Sequence, residues 1–229
     1  MIPTYGTTTG APRVQSRTSD CADANLAVLA ERWHGVAHGV DNVVLVLAGE
    51  RLGAGIVVDG RLVRGAGGAA GELAFLEVVE GVGDTHGIGA VARMSGQGVV
   101  RRQRSARSGR AALYELATGD PDRVTGEMVA TAARRGDPAA EDILRGVAER
   151  TARMVGVLSG LLDPELVVIG GGVSDVMDLI HDHVVRELPR WLKRPPRVEA
   201  SALGDAGVVT GAVRRALDQV HAEIRATLG

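Results

Sequence analysis

The sequence runs to 229 residues, about 1.5 times a typical domain length. A chain this long can bury roughly 70% of its unfolded surface without disulfides or metal. The 26 basic and 28 acidic side chains leave a net charge of −2, which excludes a global field for nucleic acid. Aromatic residues make up 2% of the chain and Cys21 is its one cysteine. These exclude base-stacking platforms, an intrachain disulfide and a cysteine zinc cage.

Residues 1–20 are rich in Thr, Gly, Pro and Ser without an apolar period, and read as a disordered or remnant lead-in to one lobe spanning 21–229. No basic, then apolar leader is visible at the N-terminus. The longest apolar runs, such as Val43 to Ala48, have strand length, far below the ~20 residues that span a bilayer. A cytoplasmic location and no membrane partner are expected.

Ala24, Ala27, Val28 and Ala30 predict a short helix ending near His34-Gly35. Val43 to Ala48 is a continuous apolar run, read as a buried strand. Strands follow at 54–58 and 61–64, and the Asp59-Gly60 pair between them predicts a two-residue hairpin. The three should form an antiparallel meander. A glycine-rich stretch covers 65–71. Residues 82–98 are again glycine-rich, with a helix starting near Ile88. Val99 to Ala133 reads as helical with a turn at 118–121. Asp137-Pro138 starts a long helix whose stripe is Ile143, Leu144, Val147, Thr151, Met154, Val155, Leu158 and Leu162. Leu166 to Ile169 is a buried strand, 175–192 a helix stopped by Pro195-Pro196, 198–201 a strand and 206–228 a final helix. The order predicts an α/β lobe with a mixed sheet flanked by helices.

Three glycine-rich corners follow strands: Gly49 to Gly55, Gly170-Gly171-Gly172 and Gly204 to Gly207. Glycine lets backbone approach a ligand, and amides at a helix start favour anions. Together the corners suggest a nucleotide cleft, although none is a Walker or dinucleotide fingerprint. Asp23 at a helix start is either a charge that favours the helix dipole or a general base for a substrate hydroxyl. Glu72 is either a solvated edge carboxylate or an acceptor for sugar hydroxyls. Arg101, Arg102, Arg104, Arg107 and Arg110 read as a solvated face, and the Met154 and Trp191 region as lobe packing or a dimer interface.

Cys21 to Ala27, Gly53 to Leu62, Gly68 to Leu73, Leu161 to Ser174 and Leu203 to Ala212 resemble, in order and spacing, the ROK family of sugar kinases and sugar-responsive repressors. The resemblance runs from about Ala22 to the end. It implies an actin-like, ribonuclease-H-like C-terminal lobe with a sugar in its cleft. It also implies Asp23 as general base, Asp23, Asn25 and Glu72 as sugar-binding residues, and Gly49, Gly53, Gly55, Gly170, Gly171 and Gly172 as the nucleotide-binding ones.

The departures shape the expected function. The family's Glu-Asn-Asp-x-Asn motif keeps Asp23 and Asn25 but has Cys21 and Ala22 in its first two places. The phosphate loop, normally Gly-Thr-Gly-Ile-Gly, reads Gly49-Glu50-Arg51-Leu52-Gly53. A like charge ~4 Å from a triphosphate costs about 1–4 kcal/mol. Phe75 stands where the family has its zinc-ligating His, and 82–89 replaces the cysteine cluster; His86 alone cannot make a tetrahedral site, so zinc is not expected. Tyr5 to Thr9 only superficially echoes the first phosphate loop of the N-terminal lobe, and no winged helix fits before Asp23. The resulting expectation is the sugar-sensing part of a transcriptional regulator: a homo-oligomer that does not bind DNA by itself and is not an active kinase. The alternative is a truncated, glucokinase-like hexose kinase, and only that alternative calls for ATP and magnesium.

Overall fold

The computed structural model describes residues 23–103 and 111–228. The expectations for residues 1–20, Cys21, Ala22, Arg104, Arg107 and Arg110 lie outside the described residues. Among those described, no helix is long and apolar enough to cross a membrane.

Five strands form one sheet: β1 (Val43–Leu47), β2 (Gly53–Val58), β3 (Arg61–Val63), β4 (Leu166–Gly170) and β5 (Arg197–Ala200), in the order β3-β2-β1-β4-β5. β1, β2 and β3 make the expected antiparallel meander, and β4 and β5 run parallel to β1. Asp59 and Gly60 turn the hairpin with φ of 48° and 74°, the left-handed pair that matches strand twist.

The helices are α1 (Asp23–His34), α2 (Ile88–Gln103), α3 (Ala112–Leu116), α4 (Gly126–Arg134), α5 (Pro138–Leu162), α6 (Ser174–Glu187) and α7 (Gly207–Leu228). The stretch expected to be helical over 99–133 is more broken than its composition implies. Thr118 and Gly119 both take positive φ, and α4 starts afresh on a Thr125 cap whose hydroxyl accepts from the Met128 amide. α6 stops before Pro195-Pro196, because Pro189 lacks an amide proton and the chain tightens into a 3-10 turn over Leu188–Arg190. A second such turn, Ala74–Val78, was not legible as an element.

Strand alternation divides the core. Val43, Leu45, Val57, Leu166 and Val168 face α1 and α7, packing with Ala27, Val28 and Val208. Val44, Val46, Ala54, Ile56, Val167, Ile169 and Val198 face the larger core built with α2 to α6. The buried stripe of α5 includes Leu144, Val147, Thr151, Met154, Val155 and Leu158, as its period predicts. α1 is seated backbone to backbone on its neighbours: a Cβ on Gly55 of β2 would stand 2.2 Å from the Ala24 carbonyl oxygen, and one on Gly211 of α7 1.8 Å from that of Leu26. A side chain at Gly55 would push α1 off the sheet, and one at Gly211 would push α1 and α7 apart.

Asp137 caps α5. One carboxylate oxygen accepts from the amides of Ala139 and Ala140, and the other from the Leu113 amide at 2.9 Å, tying α3 to the start of α5. Asp137→Ala removes a cap and leaves a buried donor unpaired, so it should lower stability by about 2–3 kcal/mol in urea melts with unchanged slope.

His181 of α6 bonds the Val198 carbonyl of β5 at 2.9 Å. That bond raises its pKa; burial works against the shift, and Asp182 adds to it. A raised folded value means the contribution is complete below the unfolded value of about 6.5 and fades as pH rises through the folded one. Urea melts across that interval should show a stability loss for the native chain that His181→Gln flattens.

Candidate functional site

Loops leave the sheet at the carboxyl ends of β1, β4 and β5, where parallel strands open a crevice for ligands. The corners that the sequence singled out meet there. A Cβ on Gly49 would lie 3.1 Å from the Gly171 carbonyl oxygen, and one on Gly172 2.9 Å from the Asp205 carboxylate. Gly171 and Gly172 have φ of 90° and 63°, which turn the chain sharply from β4 toward α6. Gly49, Gly171, Gly172 and the 204–207 corner are thus brought together.

The carboxylate side of the site is assembled next to this corner. Asp23 is exposed in the first turn of α1, and a Cβ on Gly53 would lie 3.9 Å from that of the next residue, Ala24. Gly53 forms an isolated bridge with Glu72, and the Ala54 amide donates to the Gly71 carbonyl at 2.8 Å. Glu72 is exposed. Asp23, Gly53 and Glu72 therefore cluster at one end of β2.

Three residues grouped with them from the sequence are closed off. Asn25 is 1% exposed, and its side-chain Oδ1 has no partner among the described residues. Gly55 is buried beneath the α1 backbone, and Gly170 beneath Ser201. Direct sugar contact by Asn25, and nucleotide contact by Gly55 or Gly170, are corrected to interior positions: Asn25 is buried, Gly55 lies under the backbone of α1, and Gly170 lies under Ser201 at the end of β5.

The 49–53 loop also differs from the expected lone charge. The Glu50 carboxylate pairs with Arg93 of α2 at 2.7 Å. The loop is laced to 85–87: the Leu52 amide donates to the Thr85 carbonyl, the Gly87 amide to that of Glu50, and Arg51 bridges His86. The amides of Gly89 and Ala90 at the start of α2 donate to the carbonyls of Ala48 and Gly49, so that helix start is capped by the loop.

Sequence reasoning missed Glu31. It is fully buried. One carboxylate oxygen accepts from the Val36 amide at 2.9 Å. The other accepts from the Ser201 hydroxyl and from the Leu203 amide at 3.2 Å. The Ser201 oxygen accepts in turn from the Gly204 amide at 2.9 Å. α1, which carries Asp23, is thereby fixed to the corner that opens α7. A signal was present: Ala24, Ala27, Val28 and Glu31 fall on one helical stripe, so the period placed a carboxylate in the core.

Elsewhere, Arg101 pairs with Asp122 at 3.6 Å on the surface. Met154 is buried, whereas Trp191 is half exposed beside Val79 and Gly156. Among the described residues, no group of three or more His, Cys, Asp or Glu could hold a metal ion.

A family model described as the ROK family matches residues 13–219. The glucokinase of Streptomyces coelicolor is 34% identical over 203 residues, 83% of this chain and 64% of that protein. An N-acetyl-D-glucosamine kinase of Pectobacterium atrosepticum is 32% identical over 205 residues, 87% of this chain and 66% of that protein. A crystal structure of a ROK family glucokinase from Streptomyces griseus, in complex with glucose and AMPPNP, superposes with a TM-score of 0.70 at 31% identity, covering 83% of this chain and 65% of that one. A ROK family transcriptional regulator superposes with a TM-score of 0.66 at 24% identity, covering 83% of this chain and 49% of that one, and shares the fold. The chain spans less than two thirds of the length of the curated glucokinases it matches. These likenesses favour the kinase alternative over the regulator reading.

Glu31→Ala leaves the Val36 amide and the Ser201 hydroxyl without their acceptor, and the Leu203 amide with only the Ser201 oxygen, which should cost about 2–4 kcal/mol in urea melts. Glu31→Gln keeps an acceptor on one side only and should cost less than the alanine variant.

Proposed function

The chain belongs to the ROK family and has its actin-like ATPase fold, and we propose that it carries the acceptor side and part of the nucleotide side of an ATP-dependent sugar kinase acting on glucose or an N-acetylated amino sugar. The observation that carries the reading is the cluster of Asp23 and Glu72 around Gly53, next to the corner of Gly49, Gly171 and Gly172.

Ionised carboxylates only accept hydrogen bonds, which suits the hydroxyl donors of a sugar. In this reading Glu72 holds sugar hydroxyls, and Asp23 takes the proton from the attacking hydroxyl as its oxygen bonds to the γ-phosphorus of ATP and the bond to the leaving ADP oxygen breaks. Magnesium arrives with the nucleotide as part of the substrate. The chemistry asks little of the protein beyond position and charge. The similarity to glucokinases at 34% identity and to N-acetyl-D-glucosamine kinases at 32% supports this substrate class.

The second reading, a sugar sensor, is supported by the loop residues Glu50 and Arg51 and by Phe75, which is exposed in the 3-10 turn after Glu72. One set of measurements separates the two. Calorimetry should give heat with glucose or N-acetylglucosamine and with AMPPNP, and a coupled assay should register sugar-dependent ATP consumption. Asp23→Asn should leave the sugar Kd within about twofold and lower turnover by about 10²–10⁴. Sugar binding without AMPPNP binding or ATP consumption turns the assignment to the sensor. No sugar binding at all sinks both.

A further inference from the structure

The segment 82–87 lies where the family resemblance calls for a zinc site, and its donors do not fit one. Asp84 and His86 are the two candidates in that segment. The Asp84 carboxylate is taken on one side by Arg150 at 2.7 Å and on the other by His86 Nδ1 at 3.1 Å. A guanidinium already occupies the place of a cation, and a divalent ion beside it would meet like charge in place of the third and fourth ligands it needs.

We propose that Arg150 and Asp84 are positioning residues for the 49–53 loop, an ion-pair clasp doing the structural work of a metal. Arg150 projects from the middle of α5, with its side chain 12% exposed. Its Nε donates to the Val82 carbonyl, and its Nη2 donates to both the carbonyl and the carboxylate of Asp84, all at 2.7 Å. The Asp84 carboxylate also accepts from the His86 amide at 3.0 Å. One side chain on a rigid helix thus holds two backbone carbonyls and a carboxylate of the segment. The planar guanidinium fork suits this and an ammonium does not.

The segment passes that position on. Thr85 and Gly87 bond the 49–53 loop on both sides of Arg51, at 2.9 and 3.0 Å. A Cβ on Gly87 would stand 2.2 Å from the Gly49 carbonyl oxygen, so the two backbones touch. Burial raises the pKa of Asp84, but the hydrogen bonds from His86 and the charge of Arg150 outweigh that and hold it below the ordinary carboxylate value. The charged clasp is therefore complete above the ordinary value of about 3.9 and is lost only as pH falls through the lowered one.

The nucleotide consequence rests on the kinase reading; the clasp itself does not. Two kinds of measurement keep them apart. Amide exchange should quicken at least tenfold at Leu52 and Gly87 in Arg150→Met, while Val167 and Ile169 of β4 keep their protection. Arg150→Lys should recover part of the protection, and Asp84→Asn, which removes charge at constant shape, should fall between the native chain and Arg150→Met. Unchanged exchange at Leu52 and Gly87 in both Arg150→Met and Asp84→Asn overturns the clasp, as does stoichiometric Zn²⁺ uptake by the native chain in equilibrium dialysis. In calorimetry, Arg150→Met should weaken AMPPNP by about tenfold and leave glucose binding unchanged. Equal weakening of both ligands overturns the positioning role. If the native chain binds no AMPPNP, the kinase reading fails and the exchange data alone decide the clasp.

Discussion

The buried carboxylate of Glu31 is the constraint around which the site is organised. An ionisable group with no exposure is tolerated only where donors surround it, and here they come from three places: the turn after α1, the end of β5 and the chain leading to α7. The α1 turn and the 201–203 corner are about 170 residues apart in sequence, so satisfying one carboxylate fixes their mutual geometry. The rest follows in steps. With α1 tied to the Ser201 corner, its N-terminal turn is set against Gly53 and Gly55, and Asp23 stands at the end of β2 where the Glu72 bridge also lands. Close backbone contacts with β2 and α7 leave α1 no room to slide. The Asp23 carboxylate and the glycine corner are thus held in one frame by packing and one polar network.

Much of the fold was legible because its signals are local. Val43 to Ala48 and Leu166 to Ile169 are apolar enough to be read as buried strands, Asp59-Gly60 names its turn, and Asp137-Pro138 writes a cap and first helical residue in succession. Where the signal is tertiary, the reading fell short. Thr118 takes a left-handed conformation that its type does not announce. Leu73 and Leu76 are buried by a one-turn helix too short to show a period. Asp23 and Glu72, singled out by residue type and place, are both exposed and stand at one end of β2. Asn25 and Gly55 were misassigned to the ligand surface because a motif gives spacing and not burial. Glu31 went unnoticed because acidic residues on helices are usually solvated, and only its partners near residue 201 reveal it.

The departures from the family pattern look different once their neighbours are known. Read along the chain, Glu50 is a negative charge set against a triphosphate, and the absence of zinc ligands is a loss. In space, Glu50 has Arg93, and the segment without zinc ligands has Arg150 holding two of its carbonyls and Asp84. Here the 49–53 loop is bonded through both of its flanks to 85–87, and that segment is anchored in turn to the longest helix of the lobe. An exposed ion pair such as Glu50 with Arg93 adds little to stability, but it sets a guanidinium beside the negative charge and so weakens the electrostatic objection to a phosphate nearby. With that objection weakened, the geometry around Gly49 and Gly171 weighs on the side of the kinase reading.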